Sequence, residues 1–348
     1  MDPKLSLKSL EPLEQGATFQ QKAKAAIDQS KLYDFFKKYP LFLVGELPLG
    51  TDPRGSEIQF LSSTQNLTQF KTDVELYYKE MTGSSPGFKE NHVELRHRNG
   101  IKQIEASFEY AEFKFTILCR DLDIQKQNEF LEFLGAFKLI RLGGSQAKEQ
   151  LINARRNGVP FQSAISDYFC FEGDISKQLR SFAKKDSFLI RSELFPVAKV
   201  ISGGQTGVDQ AALDVAIERK IPHGGWCPLG RASEVGKIPE KYQLQETSSD
   251  DPAERTEKNI IEADGTLIFT WGQPFGSTLH TINRVATLEK EYMVIDFRVR
   301  AQPKEVLRWI QKHQINVLNV AGPRQSQIAQ AYETTFKFLS RLFIFESD

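Results

Sequence analysis

The chain has 348 residues, more than a typical single domain, and this length predicts two domains. Lys plus Arg and Asp plus Glu each total 45, so no net charge attracts the chain to nucleic acid or to an anionic membrane. The cysteines Cys119, Cys170 and Cys227 form no Cys-x-x-Cys pair, which argues against a disulfide scaffold or a structural zinc site. The amino-terminal residues lack a signal-peptide pattern, and no run of about 18 apolar residues occurs. We therefore expect a soluble, cytoplasmic protein without a membrane partner, and we do not expect nucleic-acid binding.

Residues 1–183 have the mixed patterning of an α+β domain. Residues 19–38 have helical periodicity, and residues 41–44 are a short apolar strand. Residues 103–109 and 112–118 alternate as paired strands around a hairpin turn at 110–111. Further helices are predicted at residues 125–139, 145–156, 161–170 and 174–184. The less patterned residues 184–196 are expected to form a linker.

Residues 197–348 alternate between strands and helices. The strands are predicted at residues 197–201, 266–270, 292–297 and 317–320. The helices are predicted at residues 208–219, 277–289, 303–313 and 325–342, and another begins at Asp251-Pro252. This alternation predicts an α/β domain with a Rossmann-like parallel sheet, right-handed crossovers and flanking helices.

Three glycine-containing loops follow three of these strands, at residues 202–207, 271–276 and 321–324. In an open parallel sheet, ligands bind beyond the carboxyl ends of the strands. Glycine lets the backbone approach a phosphate closely, and a helix N-terminus offers free N–H groups to an anion. Each loop alone has a structural explanation, because tight turns require glycine. Together the three loops predict a site for a phosphate-bearing small molecule.

Several side chains near these loops could add contacts. Thr206, Ser277 and Thr278 carry hydroxyl groups, although the last two could simply cap a helix. Arg324 offers a planar pair of donors, or is a solvated surface residue. Asp209 either supports the loop at 202–207 or acts as a general base, and we favour loop support.

A second cluster rich in glycine and proline lies at residues 222–231. Trp226 could stack on a planar ring, and Arg231 could contact a phosphate or carboxylate. The alternative is a packed loop in which Trp226 belongs to the core. No metal ligands are predicted.

Four motifs in order resemble a known family: Ser-Gly-Gly-Gln-Thr-Gly-Val-Asp at 202–209, His-Gly-Gly-Trp-Cys-Pro-Leu-Gly-Arg at 223–231, Arg-Thr-Glu-Lys-Asn at 255–259 and Leu-Asn-Val-Ala-Gly-Pro-Arg at 318–324. Residues 196–343 thereby resemble the molybdenum carrier family, in the Rossmann-like superfamily of DprA and the LOG phosphoribohydrolases. The resemblance implies a nucleotide or molybdenum cofactor as the bound ligand, and it is compatible with a homo-oligomer. The implied contacts are Gly203, Gly204, Gln205, Thr206, Gly207, Trp226, Arg231, Gly276, Ser277, Thr278, Gly322 and Arg324.

The hydrolytic members of this superfamily use a Pro-Gly-Gly-x-Gly-Thr-x-x-Glu motif. Residues 275–278 keep something like its phosphate-binding part, but residues 279–282 contain no matching glutamate. The resemblance therefore does not extend to phosphoribohydrolase activity.

The segment at 45–59 resembles an uncharacterised bacterial domain related to nucleotidyltransferases, which use Gly-Ser, an Asp-x-Asp pair and a third carboxylate to hold two Mg²⁺ ions. Here the pair is Glu57 and Gln59, and Lys114 or Thr116 stands where the third acid is needed. The resemblance implies a degenerate nucleotidyltransferase-like domain without Mg²⁺, which could still bind a nucleotide or dock a protein partner.

Our leading hypothesis is a binding protein for molybdenum cofactor or a nucleotide. The alternatives are a nucleotide hydrolase using Asp209 or Glu257, a nucleotidyltransferase using Glu57, or a nucleotide-signal sensor in a prokaryotic regulatory or defence system.

Overall fold

The structure is a computed structural model that describes residues 11–14, 16–51, 57–98, 100–299 and 302–343. The chain divides into two compact units, Met1–Lys185 and Asp186–Asp348. The Gly-Ser pair of the nucleotidyltransferase-like motif, Gly55 and Ser56, lies outside the described residues.

The N-terminal unit combines a five-stranded sheet with helices. Its strands are β1 (Leu41–Val44), β2 (Glu57–Ser63), β3 (Lys89–Arg98), β4 (Ile101–Tyr110) and β5 (Phe113–Arg120). Its helices are α1 (Glu11–Glu14), α2 (Thr18–Gln29), α3 (Leu32–Phe35), α4 (Glu46–Leu49), α5 (Leu67–Ser84), α6 (Asn128–Leu142), α7 (Gly144–Arg156), α8 (Phe161–Phe169) and α9 (Ile175–Ala183). The strand order is β1-β2-β5-β4-β3, in which β2 and β5 are parallel and the other pairs antiparallel. The predicted α+β class is confirmed.

Several predicted elements of this unit are present, with local differences. The strand at 41–44 and the β4–β5 pair are confirmed, but the turn lies at Ala111 and Glu112, which both have positive φ. The helix predicted over 19–38 is two helices, because Lys31 adopts a left-handed conformation with φ of 53°. The sequence prediction did not include β2, β3, α5 or the short helices α1 and α4. β3 is mostly exposed on both faces and lacks alternation, whereas α5 buries residues at helical spacing that the sequence does contain.

The C-terminal unit is built on a second five-stranded sheet. The strands of the unit, which also has two two-stranded sheets, are β6 (Lys199–Ile201), β7 (His223–Gly224), β8 (Trp226–Cys227), β9 (Ala232–Ser233), β10 (Gly236–Lys237), β11 (Gln245–Glu246), β12 (Gly265–Thr270), β13 (Glu291–Asp296) and β14 (Val317–Ala321). Its helices are α10 (Ser187–Leu194), α11 (Val208–Glu218), α12 (Pro252–Glu262), α13 (Gly276–Thr287), α14 (Pro303–Lys312) and α15 (Ala331–Leu342). The sheet order is β13-β12-β14-β6-β7 and every neighbouring pair is parallel. The predicted Rossmann-like parallel sheet is confirmed.

The central strands explain this arrangement. Every residue of β12 is buried, as expected for a strand covered on both faces. Helices α11, α12 and α13 pack against β6, β12 and β14. α12 begins as predicted, because Asp251 Oδ1 accepts a hydrogen bond of 2.9 Å from Ala253 N–H.

Several segments differ from the sequence prediction, which gave this unit four strands and did not include β7, the fifth strand of the sheet. Helix α10 lies within the residues expected to be a linker, and it begins after Asp186, whose Oδ1 accepts a hydrogen bond of 2.8 Å from Leu189 N–H. The last helix begins at Ala331 rather than at residue 325, so residues 325–330 remain an irregular loop. None of the helices in the described part of the chain is long and apolar enough to span a bilayer.

Candidate functional site

The loops after β6 and β14 are in direct contact, because these two strands are neighbours in the sheet. Val208 N–H donates a hydrogen bond of 3.3 Å to Pro323 O, and Gln325 N–H donates one of 3.2 Å to Thr206 Oγ1. Gly207 has a φ of 80°, and a Cβ there would lie 2.6 Å from Pro323 O. Glycine is therefore required at position 207 both by its backbone conformation and by the close approach of the loop after β14.

A cavity of about 640 Å³ opens where these two loops meet. It is lined by Thr206, Gly207, Gln210, Glu234, Val235, Gln325, Ser326 and Tyr332. The sequence prediction named Thr206 and Gly207 and missed the other six residues. Ser326 follows a predicted motif by two residues, so its position was a usable signal, whereas nothing in the local sequence marked Glu234.

The carboxylate of Glu234 is bound by the polar groups of this cavity. Thr206 Oγ1 donates a hydrogen bond to Glu234 Oε1, and Ser326 N–H donates one of 3.2 Å to the same oxygen. Ser326 Oγ donates to Glu234 Oε2. Desolvation opposes ionisation, but the hydrogen bonds from Ser326 and Thr206 outweigh it and lower the pKa of Glu234. An anionic group thus occupies these donors.

Arg324 stands beside these donors and acts electrostatically on Glu234 and on Asp209. Its guanidinium forms no hydrogen bond or ion pair with any residue that the structure describes. A half-buried guanidinium without a fixed partner is suited to an anionic ligand. We refer to Thr206, Arg324 and Ser326 together as the anion cradle.

Other predicted residues of the first loop support it from behind. A Cβ at Gly203 would lie 1.7 Å from Arg255 Nη1, and one at Gly204 would lie 2.5 Å from Leu244 Cδ1. Gln205 is buried, and its Nε2 donates a hydrogen bond of 2.9 Å to Ala232 O. These three positions therefore hold the loop in place and do not line the cavity.

Asp209 lies beneath the loop in an ion pair. Its Oδ2 is 3.2 Å from Arg255 Nη1 and accepts a hydrogen bond of 3.3 Å from Gln205 N–H. Burial raises the pKa of Asp209, and the Arg255 guanidinium opposes this effect. Because the residue is 3% exposed, its carboxylate has no surface to offer a substrate. This placement agrees with loop support and not with a general base.

Arg231 is an expected ligand contact, but its guanidinium is engaged by the backbone of residues 238–244. Its guanidinium donates hydrogen bonds to the carbonyl oxygens of Ile238, Pro239, Tyr242 and Leu244 at 2.9–3.2 Å. A buried guanidinium with four carbonyl partners is structural, because a ligand would have to displace them.

Trp226 faces α12. Its Nε1 donates a hydrogen bond of 2.7 Å to Glu262, and Lys258 Nζ lies 4.2 Å from the ring centroid. Asn259 holds the backbone of Trp226 through hydrogen bonds of 2.8 and 3.0 Å. The ring is not among the residues that line the cavity.

The loop after β12, at residues 271–276, approaches the cradle without lining the cavity. Gly276, at the start of α13, has a φ of 55°, and a Cβ there would lie 3.4 Å from Gln327 Nε2. Gln327 Oε1 in turn accepts a hydrogen bond of 3.1 Å from Arg324 N–H. Ser277 and Thr278 follow in the first turn of α13, and Thr278 is buried. Gln327 therefore links this loop to the cradle.

Gly322 permits close packing where the loop at residues 321–324 leaves β14. A Cβ at this position would lie 2.7 Å from Val208 Cγ2 and 3.0 Å from Phe269 O. Gly322 thus brings the loop after β14 against the start of α11.

In the N-terminal unit, Glu57 is surrounded by its own neighbours. Its carboxylate accepts hydrogen bonds from Gln59 Nε2 at 2.6 Å and from Thr116 Oγ1, and Lys114 Nζ lies 2.8 Å away. Desolvation raises the pKa of Glu57, but these three partners outweigh it and lower the pKa. The parallel register places Glu57 opposite Lys114 and Gln59 opposite Thr116. Neutral and basic side chains therefore stand beside Glu57 on the adjacent strand.

A cleft of about 800 Å³ adjoins this cluster. It is lined by Glu57, Gly87, Lys89, Glu109, Tyr110, Glu112, Phe113 and Lys114. Across the described ranges, no group of three or more His, Cys, Asp or Glu residues is arranged to hold a metal ion.

The C-terminal unit has recognisable relatives. Residues 200–343 match the circularly permutated YpsA SLOG family. A protein of solved structure from Syntrophus aciditrophicus SB, named as a molybdenum carrier, is 42% identical, covers 42% of this chain and is itself covered over 94% of its length, with a TM-score of 0.41. Through these residues, the chain belongs to the circularly permutated YpsA SLOG family. The resemblance seen in the sequence is confirmed.

Residues 25–181 match a domain of unknown function, DUF4269. The chain is also similar to Cid1, an RNA terminal uridylyl transferase, at 17% identity over 39% of each chain with a TM-score of 0.29. For the Cid1 poly(U) polymerase bound to MgGTP the identity is 16%, over 46% of this chain and 47% of that one, with a TM-score of 0.31. This chain spans less than half the length of each. No curated protein matches the chain.

Proposed function

We propose that the C-terminal unit binds a phosphate-bearing small molecule, either a nucleotide or the pterin phosphate of molybdenum cofactor, in the anion cradle. The phosphate contacts Thr206, Ser326 and Arg324, and the remainder of the ligand occupies the adjoining cavity. Its volume of about 640 Å³ is within the range of small-molecule sites.

The observation that carries this proposal is that the carboxylate of Glu234 accepts hydrogen bonds from donors of the cradle. Thr206 Oγ1, Ser326 N–H and Ser326 Oγ converge on its two oxygens. Donors that hold a carboxylate within hydrogen-bonding distance also suit the oxygens of a phosphate, and charge strengthens such bonds. Arg324 adds a positive charge that acts on Glu234 and would also favour a bound phosphate.

The relative named as a molybdenum carrier supports the cofactor as the ligand. The resemblance of residues 196–343 to the superfamily that includes the LOG phosphoribohydrolases supports a nucleotide instead. Mass spectrometry of the small molecules released on denaturing gently purified protein separates the two. A pterin phosphate with stoichiometric molybdenum would identify the cofactor. A nucleotide without molybdenum would identify the other class.

The binding site is tested with Thr206→Val and Arg324→Ala, measured by calorimetric titration with inorganic phosphate. Each variant loses a charge-assisted hydrogen bond, so we expect affinity to fall about tenfold or more. Arg298→Ala is the matched control, because Arg298 also follows a strand of this sheet but packs against Gly272 outside the cavity. Unchanged affinity in folded Thr206→Val and Arg324→Ala would sink the proposal.

A further inference from the structure

The short hairpin formed by β9 and β10, at residues 232–237, lies over the anion cradle. Its two strands pair only with each other within the described sheets, through the register Ser233 to Gly236 and Ala232 to Lys237. Glu234 and Val235 form its tip, and Val235 is 76% exposed. We refer to residues 232–237 as the hairpin.

The base of the hairpin is firmly anchored. Arg231 precedes it and binds four carbonyl oxygens, and Ile238 follows it, fully buried, with its N–H donating a hydrogen bond of 2.7 Å to Arg231 O. Ile238 packs in a small core with Leu213, Cys227 and Tyr242. A tip on a fixed base can move without unfolding the rest of the loop.

The hairpin is held against the site by hydrogen bonds. Gln205 Nε2 donates to Ala232 O at 2.9 Å, and Glu234 N–H donates to Gln205 Oε1 at 3.4 Å. The remaining contacts join the Glu234 carboxylate to Thr206 and Ser326. A competing anion can replace the carboxylate contacts one for one.

We infer that Glu234 determines the specificity of the cradle, because it is a tethered anion that the ligand must displace. A carboxylate held on a short loop has an effective concentration on the order of millimolar or more, so a dilute free carboxylate does not compete with it. A phosphate dianion carries more charge and more oxygens, and it also engages Arg324. The hairpin therefore reserves the site for tetrahedral dianions such as a terminal phosphate, and it opens when they bind.

This inference rests on the proposed function, and its test uses the full chain with inorganic phosphate. Glu234→Gln keeps the size of the side chain and removes its charge. We expect its phosphate affinity to rise about tenfold or more, because a neutral amide competes for the donors of Thr206 and Ser326 less strongly than a carboxylate does. Glu333→Gln is the matched control, since Glu333 is an exposed carboxylate of the same unit that pairs with Lys337 and not with the hairpin. Its affinity should equal that of the wild type.

Hydrogen exchange provides the second readout. Phosphate should accelerate exchange of the amides at 232–237 in the wild type, and acetate at the same concentration should not. Equal phosphate affinity in the wild type and Glu234→Gln, or exchange that slows on binding, overturns the role of Glu234 and leaves the proposed site standing. If neither protein binds phosphate, the proposed function fails and this inference fails with it.

Discussion

Two arginines that were expected to contact the same ligand have opposite roles in the structure. The Arg231 guanidinium donates hydrogen bonds to four backbone carbonyls. The Arg324 guanidinium forms no hydrogen bond or ion pair with any residue that the structure describes. A guanidinium offers five donors in a fixed geometry, so a buried one is either used by the fold or costly to leave unpaired. The difference between these two side chains therefore gives Arg231 a structural role and leaves Arg324 available for the proposed ligand.

We predict that Arg231→Lys destabilises the C-terminal unit by about 2–3 kcal/mol, because an ammonium keeps the charge but cannot reach four carbonyls at once. Urea unfolding followed by tryptophan fluorescence measures this, since Trp226, Trp271 and Trp309 all lie in the C-terminal unit. Arg298→Lys is the control, and its change should stay within about 0.5 kcal/mol because Arg298 is exposed. Equal effects of the two substitutions would contradict the structural role of Arg231.

At the scale of elements, the cradle exists because β6 and β14 are adjacent parallel strands. Their carboxyl ends lie at one edge of the sheet, so the loops that follow them meet there. Gly207 sets how closely they meet, with φ of 80° and ψ of −123° and with Pro323 O at the position of its missing side chain. The loop-to-loop hydrogen bonds of Thr206 and Val208 depend on this spacing.

Gly207→Ala should destabilise the C-terminal unit by about 3 kcal/mol or more, because an alanine meets both backbone strain and a clash with the loop after β14. Gly230→Ala is a sharp control. Gly230 also has positive φ, 73°, but a Cβ there meets nothing within 4 Å. Its cost should be about 1 kcal/mol, from the left-handed backbone alone. The same fluorescence-detected unfolding compares them, and similar losses would show that close packing at Gly207 contributes little.

At the scale of the whole molecule, the chain joins a unit of the circularly permutated YpsA SLOG family to a DUF4269 domain. Each unit has its own five-stranded sheet. A protein partner for the N-terminal unit and assembly into a homo-oligomer both stay predictions from the sequence. The neighbours of Glu57 provide hydrogen bonds and a positive charge, so this carboxylate is already neutralised within the unit.

We predict that residues 186–348 fold and bind phosphate without the rest of the chain, because the sheet and the cradle lie within this unit. The isolated unit should unfold cooperatively in urea, with the midpoint that tryptophan fluorescence gives for the full chain. Its phosphate affinity should match as well. Loss of the cooperative transition or of binding would show that the N-terminal unit contributes to the site.

Hydrophobic patterning along the chain was enough to predict the alternation of strands and helices in the C-terminal unit, and with it the parallel sheet. Hydrophobic periodicity is local, so segments such as β12 and α14 can be recognised without knowing what covers them. It also placed the three glycine loops after their strands. The same patterning failed for α10, which is only 8 residues long, and for β3, which has no buried residue.

Most residues that line the cavity could not be predicted from the sequence, because distant segments of the chain bring them together. Glu234 reaches Thr206 across 28 positions of sequence and Ser326 across 92, and no local pattern records such contacts. Burial of Asp209 and engagement of Arg231 are likewise properties of the packed molecule. The physical reason is that hydrogen-bond partners and solvent access are set by neighbours in space, whereas periodicity is set by neighbours along the chain.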